Sequence, residues 1–309
     1  MTAGFQFTGV IPILATPFHD DESLDLDSLR GMIKFNKACG VSGVTLLGLL
    51  GESNRLSDDD RTRIIAAGIE AADGMPVIVG TSHTGTAATV ALTKQAADLG
   101  ASAVMITASA QPTPSDKVVF DYFDRVASAI TLPIILQDHP AISQVHMPID
   151  LILRMVREIP AIVGIKGEAL PSPQRIGALI AGMKDGRKVP VLTGLGALYG
   201  LFDLERGSEG FNTGFAFPEV LMAILREHVA GNAAGAYAIF TRFLPLLVFE
   251  QQPGLAIRKE LLRMRGVIAS NRVRHPGATI DAATSAQLQR LVKATFGDAD
   301  ITQVMAVQA

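Results

Sequence analysis

Hydrophobic residues recur in eight short runs along the first two-thirds of the chain, and several of the runs are rich in valine and isoleucine. Most positions within a run are apolar rather than alternating with polar ones, which is typical of parallel strands covered on both faces. The runs lie roughly 20 to 35 residues apart, which is the spacing of strand-plus-helix units. They comprise residues 9–15, 43–50, 76–81, 103–107, 133–136, 162–166, 189–192 and 210–214.

The segments between the runs carry helix start and stop signals, such as the acidic residues that follow Ser57. Eight strand–helix units in about 220 residues predict an α/β fold of the (β/α)8, or TIM barrel, type. A doubly wound open sheet is the competing fold. Its phosphate-binding glycine turn is approached only by Gly194-Leu195-Gly196, which lacks a third glycine, so we interpret this segment as an ordinary loop.

After about Pro218 the strand pattern stops, and the remaining segments have helical patterns. The predicted helices cover 219–229, 232–247, 254–265 and 282–295. We therefore predict two units, a barrel over residues 1–220 that carries the site and a C-terminal helical appendage over 221–309.

Composition narrows the classes of function. The net charge is −3 and no basic cluster occurs, which argues against nucleic acid and against an anionic membrane as partners. The single cysteine, Cys39, excludes an internal disulfide framework. No apolar run approaches the roughly 20 residues that a membrane span needs, and the N-terminal segment is a poor signal peptide. We predict a soluble, cytoplasmic protein.

The active site of such a barrel lies at the C-terminal ends of its strands, so residues that close each run are the candidates. Of the nine lysines, Lys166 alone ends a buried-strand pattern. One interpretation is a lysine that extends from the strand end to solvent. The other is a partly desolvated amine that attacks a carbonyl carbon and forms a Schiff base.

Alternation along a strand places Gly164, Lys166 and Glu168 on one face, with the glycine leaving room below the amine. Glu168 is then our first candidate for a general base, and a loop carboxylate paired with an arginine is the alternative. Gln137 and His139 share a face at the end of the fifth run, where Asp138 points the other way.

Further candidates lie at other strand ends. His83 follows the third run and is our second candidate base, although such a histidine is more often structural. Leu50 and Gly51 lie in a glycine-flanked turn whose backbone N–H groups can bind a carboxylate, and Ser53 follows them. Asn212 in the eighth run is a further candidate for substrate binding. No histidine has a metal-ligand spacing, so we predict no metal site and no cofactor.

These residues resemble the dihydrodipicolinate synthase and N-acetylneuraminate lyase superfamily of Schiff-base lyases. The similarity runs from about residue 9 to 271 and rests on the 15–18, 48–53, 80–81 and 164–166 motifs together with the barrel-plus-helices layout. The resemblance implies that Lys166 forms an imine with a 2-keto acid. It also implies a homo-oligomer, either a tetramer or a dimer.

Three positions depart from the family pattern. Leu49 and Leu50 replace two threonines, Gln137 replaces a catalytic tyrosine, and 108–111 lack a tyrosine that many members carry. True dihydrodipicolinate synthase activity is therefore not expected. The 81–83, 137–140 and 267–276 segments, and Glu168, are more similar to dehydratases of 2-keto-3-deoxyarabonate.

The sequence thus favours a lyase that dehydrates a 2-keto-3-deoxy sugar acid through an imine on Lys166. A pyruvate-releasing aldolase on a similar sugar acid is the alternative within the enzyme class. A barrel that binds a keto acid without catalysis is the non-enzymatic alternative. For the group Arg272, Arg274 and His275, a solvated turn is the favoured interpretation, and an interface or substrate-gate contact is the other.

Overall fold

Eight parallel strands form the centre of the molecule in the computed structural model, which describes residues 5–111, 115–252 and 254–308. Neighbouring strands pair in the order β1-β8-β7-β6-β5-β4-β3-β2. The sheet closes where Ile13 bridges Thr45 in parallel, and the Leu14 N–H donates to the Thr45 carbonyl at 2.9 Å. The strands are β1 Gly9–Val10, β2 Val44–Leu46, β3 Val77–Gly80, β4 Ala103–Thr107, β5 Ile134–Asp138, β6 Ile162–Gly167, β7 Val191–Thr193 and β8 Gly210–Phe211. The (β/α)8 barrel predicted from the eight runs is confirmed.

Helices follow every strand and cover the outside of the barrel. The first eight are α1 Leu26–Ala38, α2 Asp58–Ala72, α3 Thr86–Asp98, α4 Asp116–Ser128, α5 Pro140–Ser143, α6 Ile149–Glu158, α7 Ser172–Gly182 and α8 Gly200–Leu204. The remainder are α9 Pro218–Val229, α10 Ala233–Phe249, α11 Leu255–Met264 and α12 Ala282–Phe296. The boundary proposed at 220/221 falls inside α9, the helix that completes the eighth strand–helix unit, and the division into two units stays a prediction. In the described part of the chain, no helix is both long and apolar enough to cross a membrane.

Two apolar clusters stabilise this arrangement. The smaller fills the barrel interior and explains why Gly164 carries no side chain. A Cβ at Gly164 would lie 2.5 Å from the Phe7 ring, so Phe7 occupies the space that we predicted to lie free below Lys166. The interior cluster consists of Phe7, Ile11, Ile13, Ile78, Ala103, Met105, Ile135 and Leu192. The larger cluster packs the outer strand faces against the helices.

Local signals set the helix ends as the sequence indicates. The Ser57 hydroxyl accepts from the Asp60 N–H at 3.1 Å, and the Asp60 carboxylate accepts from the Ser57 N–H at 3.0 Å, so α2 begins with a reciprocal capping box. Glycine follows the end of α1 at Gly40, where φ is 82° and a side chain would be strained. These caps fix where each helix returns the chain to the barrel.

Among the described residues no cation pairs with Asp203, a buried carboxyl in α8, and we therefore predict a measurable pH dependence of stability. Asp203 is 1% exposed and accepts a hydrogen bond from the Thr193 hydroxyl at the end of β7. Burial raises the pKa of Asp203 from 3.8 to about 6, against the lowering effect of that hydroxyl. The folded state then binds the proton more tightly than the unfolded chain, and this carboxyl destabilises the fold by up to about 3 kcal/mol once the pH exceeds 6.

We therefore expect Asp203→Asn to raise the free energy of unfolding by about 1–3 kcal/mol at pH 8, and the gain to vanish as the pH falls toward 4, where Asp203 is already neutral. Denaturant unfolding at several pH values measures this. Asp124→Asn, on the exposed face of α4, is the matched control and should change little at any pH. A less stable Asp203→Asn protein at pH 8 would contradict the prediction.

Candidate active site

Lys166 lies near the end of β6 with its side chain toward the barrel axis and only 5% exposed. The pairing of β5 with β6 places Gln137 next to Lys166. Gln137 of β5 is in register with Lys166, so the two side chains point to the same face of the sheet. The Glu168 N–H donates to the Asp138 carbonyl at 2.9 Å, which extends this pairing beyond the strand and returns Glu168 to the face of Lys166.

Three polar groups meet at this point. The Lys166 ammonium and the Glu168 carboxylate form an ion pair with Nζ 3.1 Å from Oε2. The Gln137 side-chain amide donates to the same Oε2 at 2.6 Å, and the Leu195 backbone N–H donates to Oε1 at 3.1 Å. Both carboxylate oxygens are therefore satisfied, and the shared face predicted for Lys166 and Glu168 agrees with the structure. The extended-lysine interpretation does not fit, because the amine is buried.

The charges around Glu168 keep it ionised. Burial alone raises the pKa of this carboxyl, but the Lys166 ammonium, His139, the Gln137 amide and the Leu195 N–H together hold the pKa of Glu168 below its ordinary value of 4.5. His139 lies close enough to interact electrostatically with the Lys166 ammonium and the Glu168 carboxylate, and burial lowers the pKa of its imidazole. At neutral pH the site thus holds a carboxylate base beside a neutral histidine.

The loop after β7 contributes two features that the sequence did not identify. Gly194 lies directly against the carboxylate, since a Cβ there would be 2.3 Å from Oε1 of Glu168. Leu195 contributes its backbone N–H rather than its side chain. The only signal in the sequence is Gly194 at the end of the seventh run, and the sequence pattern alone favours an ordinary loop there. Gly196 has a φ of 64° and its N–H donates to the Thr213 hydroxyl at 2.8 Å.

Asp138 points away from this cluster, as predicted, and pairs with Arg175 of α7 at 2.8 Å. Within the described residues, Nδ1 of His139 is buried without a hydrogen-bond partner. A cavity of about 210 Å³ opens beside Glu168. Its other lining residues are Pro140, Ala141, His146, Met147, Ala169, Leu170, Arg175 and Leu195.

The turn after β2 is more closed than expected. The Gly51 N–H donates to the Gly48 carbonyl at 2.9 Å, so a bound carboxylate would have to share this donor. The Leu50 side chain packs on the interior cluster, against the position where a Cβ of Gly214 would lie. Ser53 offers its backbone carbonyl to Arg61.

Two further candidates lie apart from the cluster. His83 is exposed, its Nδ1 accepts from the Gly85 N–H at 3.0 Å, and it lines a separate cavity between α2 and α3. Asn212 is fully buried, and its side-chain amide donates to the Ile11 carbonyl at 2.8 Å and to the Thr45 hydroxyl at 3.1 Å. Asn212 therefore links β8 to β1 and β2.

Among the described residues, no group of three or more histidine, cysteine, aspartate or glutamate side chains is placed to hold a metal ion. The chemistry available at the site is thus that of an amine, a carboxylate, an amide and an imidazole.

The closed barrel and the lysine–carboxylate pair at the end of its sixth strand mark the chain as a barrel lyase. Residues 6–295 match the Dihydrodipicolinate synthetase family, and the chain belongs to this family.

Three relatives illustrate the range within the family. L-2-keto-3-deoxyarabonate dehydratase of Azospirillum brasilense is 33% identical over 290 residues, which is 92% of this chain and 93% of the relative. Dihydrodipicolinate synthase of Rhodopseudomonas palustris has a TM-score of 0.89 and 33% identity, with 93% of this chain and 97% of that chain covered. YagE of E. coli K12, solved with pyruvate, has a TM-score of 0.87 and 27% identity, with 94% and 98% covered.

Proposed function

We propose that this protein is a dehydratase that removes water from a 2-keto-3-deoxy sugar acid through an imine on Lys166. The observation that carries the proposal is the buried contact of 3.1 Å between the Lys166 ammonium and the Glu168 carboxylate. An amine that must attack a carbonyl carbon needs a nearby base, and Glu168 is the carboxylate within reach. The similarity to a 2-keto-3-deoxyarabonate dehydratase over 92% of the chain supports the substrate class.

The first step is imine formation. Lys166 transfers a proton to Glu168 and attacks C2 of the substrate. The resulting carbinolamine takes that proton back from Glu168 onto its hydroxyl, which leaves as water to give an iminium. The substrate carboxylate binds at the turn after β2, where the Leu50 and Gly51 N–H groups are the proposed donors. The cation at C2 makes the C3 protons acidic, and Glu168, ionised again, takes one of them to leave an enamine.

The second step is loss of the C4 hydroxyl. The electron pair of the enamine expels the hydroxyl, which leaves as water with the proton that Glu168 holds. Water then hydrolyses the remaining iminium, which releases the dehydrated keto acid and regenerates the amine of Lys166. The neutral His139 and the Gln137 amide are the proposed groups that guide the departing hydroxyl. We retain His139 and Gln137 because both neighbour the Lys166–Glu168 pair, whereas Ser53 and His83 do not.

The absence of a tyrosine at Gln137 and of threonines at Leu49 and Leu50 supports a reaction other than dihydrodipicolinate synthesis. Gln137 has no proton that it can readily give up, so it can orient Glu168 but cannot relay a proton as a phenol does. We therefore propose that the chain is not a true dihydrodipicolinate synthase, although relatives that carry the synthase name are similar at comparable identity.

A homo-oligomer also remains part of the proposal. Apolar side chains at the surface, with Leu170 60% exposed and Phe202 39% exposed, support burial against further copies. Light scattering after gel filtration would measure whether the assembly is a dimer or a tetramer.

Borohydride trapping with a panel of 2-keto acids tests the function. We expect a covalent adduct at Lys166 by intact mass and peptide mapping, and turnover of a 2-keto-3-deoxy pentonate or hexonate that yields a dehydrated keto acid. Pyruvate as the product would instead assign the aldolase. Failure of every keto acid in the panel to form an adduct would contradict both activities and favour a binding protein.

A further inference from the structure

A fully buried ion pair joins the C-terminal helices to the turn after β2. Lys259 lies in α11 and Glu52 in the turn, 207 residues apart in sequence, and the two side chains are both 0% exposed. Their Nζ and Oε1 atoms are 2.6 Å apart. Nothing in the catalytic cluster around Lys166 uses this pair. We define the β2 turn as residues 48–53.

Glu52 is held in a conformation that needs support. Its backbone has φ 55° and ψ 31°, the left-handed region, which is unfavourable for a residue with a side chain. Its N–H donates to the Leu49 carbonyl at 3.1 Å, and its own carbonyl accepts from the Arg55 N–H at 2.8 Å. The shape of the β2 turn therefore depends on where the Glu52 side chain is anchored.

Three donors anchor the Glu52 carboxylate. Lys259 holds Oε1, while Oε2 accepts from the Arg55 guanidinium at 3.0 Å and from the Arg274 backbone N–H at 3.0 Å. Two of these three donors belong to the C-terminal region. The Thr16 hydroxyl, donating to the Gly51 carbonyl at 2.6 Å, fixes the turn from the barrel side.

Two further contacts hold Lys259 in place. Its ammonium donates to the Arg272 carbonyl at 2.6 Å and lies 4.5 Å from the centre of the Phe18 ring. The Arg274 guanidinium lies 4.3 Å from the same ring and pairs with Asp60 at 2.7 Å. Arg274 is therefore a half-buried residue held by specific contacts, and the solvated-turn interpretation favoured from the sequence does not hold for it.

Removing one partner of such a pair leaves the other charge buried and uncompensated, which is strongly destabilising. The ion pair therefore holds the Glu52 side chain, and with it the β2 turn, in one position. Burial lowers the pKa of Lys259 to about 8, against the Glu52 carboxylate, which raises it, and the ammonium is thus the prevailing form at neutral pH.

We propose that Lys259 is a positioning residue which, by holding Glu52, fixes the β2 turn in the shape that binds the carboxylate of the substrate. The part of this inference that concerns the carboxylate rests on the proposed function. Lys259 touches neither the substrate nor the reacting atoms, so its loss should weaken binding of the 2-keto acid rather than slow the chemical step.

The test compares two buried cations at the same helix. Lys259→Met removes the ion pair with Glu52 that holds the β2 turn. Arg265→Met removes an equally buried cation, which follows α11 and pairs with Glu219 at 2.5 Å, away from the turn. Hydrogen exchange of the ligand-free protein, read by mass spectrometry on a peptide that contains the β2 turn, reports the order of the turn without requiring activity.

For Lys259→Met we expect exchange in the β2 turn to accelerate at least about 10-fold, and KM for the 2-keto acid to rise about 10- to 100-fold with kcat within about threefold of the parent. Arg265→Met should lower the melting temperature but leave turn exchange and KM unchanged. Unchanged exchange and KM in Lys259→Met, or equal changes in Arg265→Met, would overturn the proposal.

Milder variants keep the proposal testable if a buried cation proves essential for folding. Glu52→Gln and Glu219→Gln preserve side-chain size in the two pairs, and only Glu52→Gln should accelerate exchange in the turn and raise KM.

The experiments distinguish failure of the proposed dehydratase function from failure of the proposed role of Lys259. Faster exchange without any imine in the parent protein would count against the dehydratase alone, whereas imine formation without faster exchange would count against the role of Lys259 alone.

Discussion

Replacing Lys166 by methionine should lower turnover of the 2-keto-3-deoxy acid by at least about 10⁴-fold, because the covalent intermediate can no longer form. Methionine matches the length of the lysine stem and fits beside the apolar interior layer, to which Ile135 and Leu192 belong. The fold should survive the change, because the Gln137 amide and the Leu195 N–H still donate to the Glu168 carboxylate that loses its cationic partner. The measurement is steady-state turnover together with borohydride trapping, and we expect no adduct on the variant.

The control is a substitution of an exposed lysine. Lys188 lies in the loop before β7, and Lys188→Met should retain both turnover and the adduct. If Lys166→Met turned over substrate within about tenfold of the parent, the imine mechanism would be wrong. If the adduct mapped to another lysine, the assignment of the nucleophile would be wrong.

Glu168→Gln has the second-largest expected effect. General-base assistance typically contributes about 10²–10⁴-fold, and we expect turnover to fall by that factor. The variant keeps the size of the side chain and an oxygen that can accept from the Leu195 N–H, which donates to the native carboxylate at 3.1 Å. Since the amine remains, borohydride should still trap substrate on Lys166, but more slowly, because Glu168 no longer takes the proton of the ammonium; a slow adduct at Lys166 separates loss of the base from loss of the site.

The pH profile gives an independent measure of the same group. The pKa of Glu168 lies below 4.5 in the folded protein, so the base form persists across the neutral range and the acidic limb of kcat/KM should fall below pH 4.5. Glu158→Gln, on the exposed end of α6, is the matched control and should leave turnover unchanged. Turnover of Glu168→Gln within about threefold of the parent would contradict the role of Glu168.

Much of the fold was predictable because its signals are local. Continuous apolar runs identify strands covered on both faces, and each of the eight runs overlaps a strand in the structure. Strand alternation was sufficient to place Lys166 and Glu168 on one face, because the period of two holds wherever the strand persists. The four predicted C-terminal helices are likewise observed, with ends that shift by one or two residues.

The candidate site was predictable only in part. Gln137 was a candidate for its position at a strand end, but its contact with Glu168 depends on the register of β5 against β6, which no local pattern specifies. His83 and Asn212 also lie at strand ends, yet one turns outward to the Gly85 N–H and the other bonds inside the barrel. A position at the end of a strand determines where a residue lies along the barrel axis but not which residues its side chain contacts.

The sequence by itself determined the barrel, the buried lysine at the end of the sixth strand and the carboxylate two residues beyond it. Each of these follows from the order of apolar and polar residues within a single segment. Only the tertiary structure decided that Leu195 supplies a backbone N–H to Glu168 and that Lys259 reaches Glu52 across 207 residues. Such contacts depend on how distant segments pack around a common axis, because burial and pairing are properties of the closed barrel and not of any one run of residues.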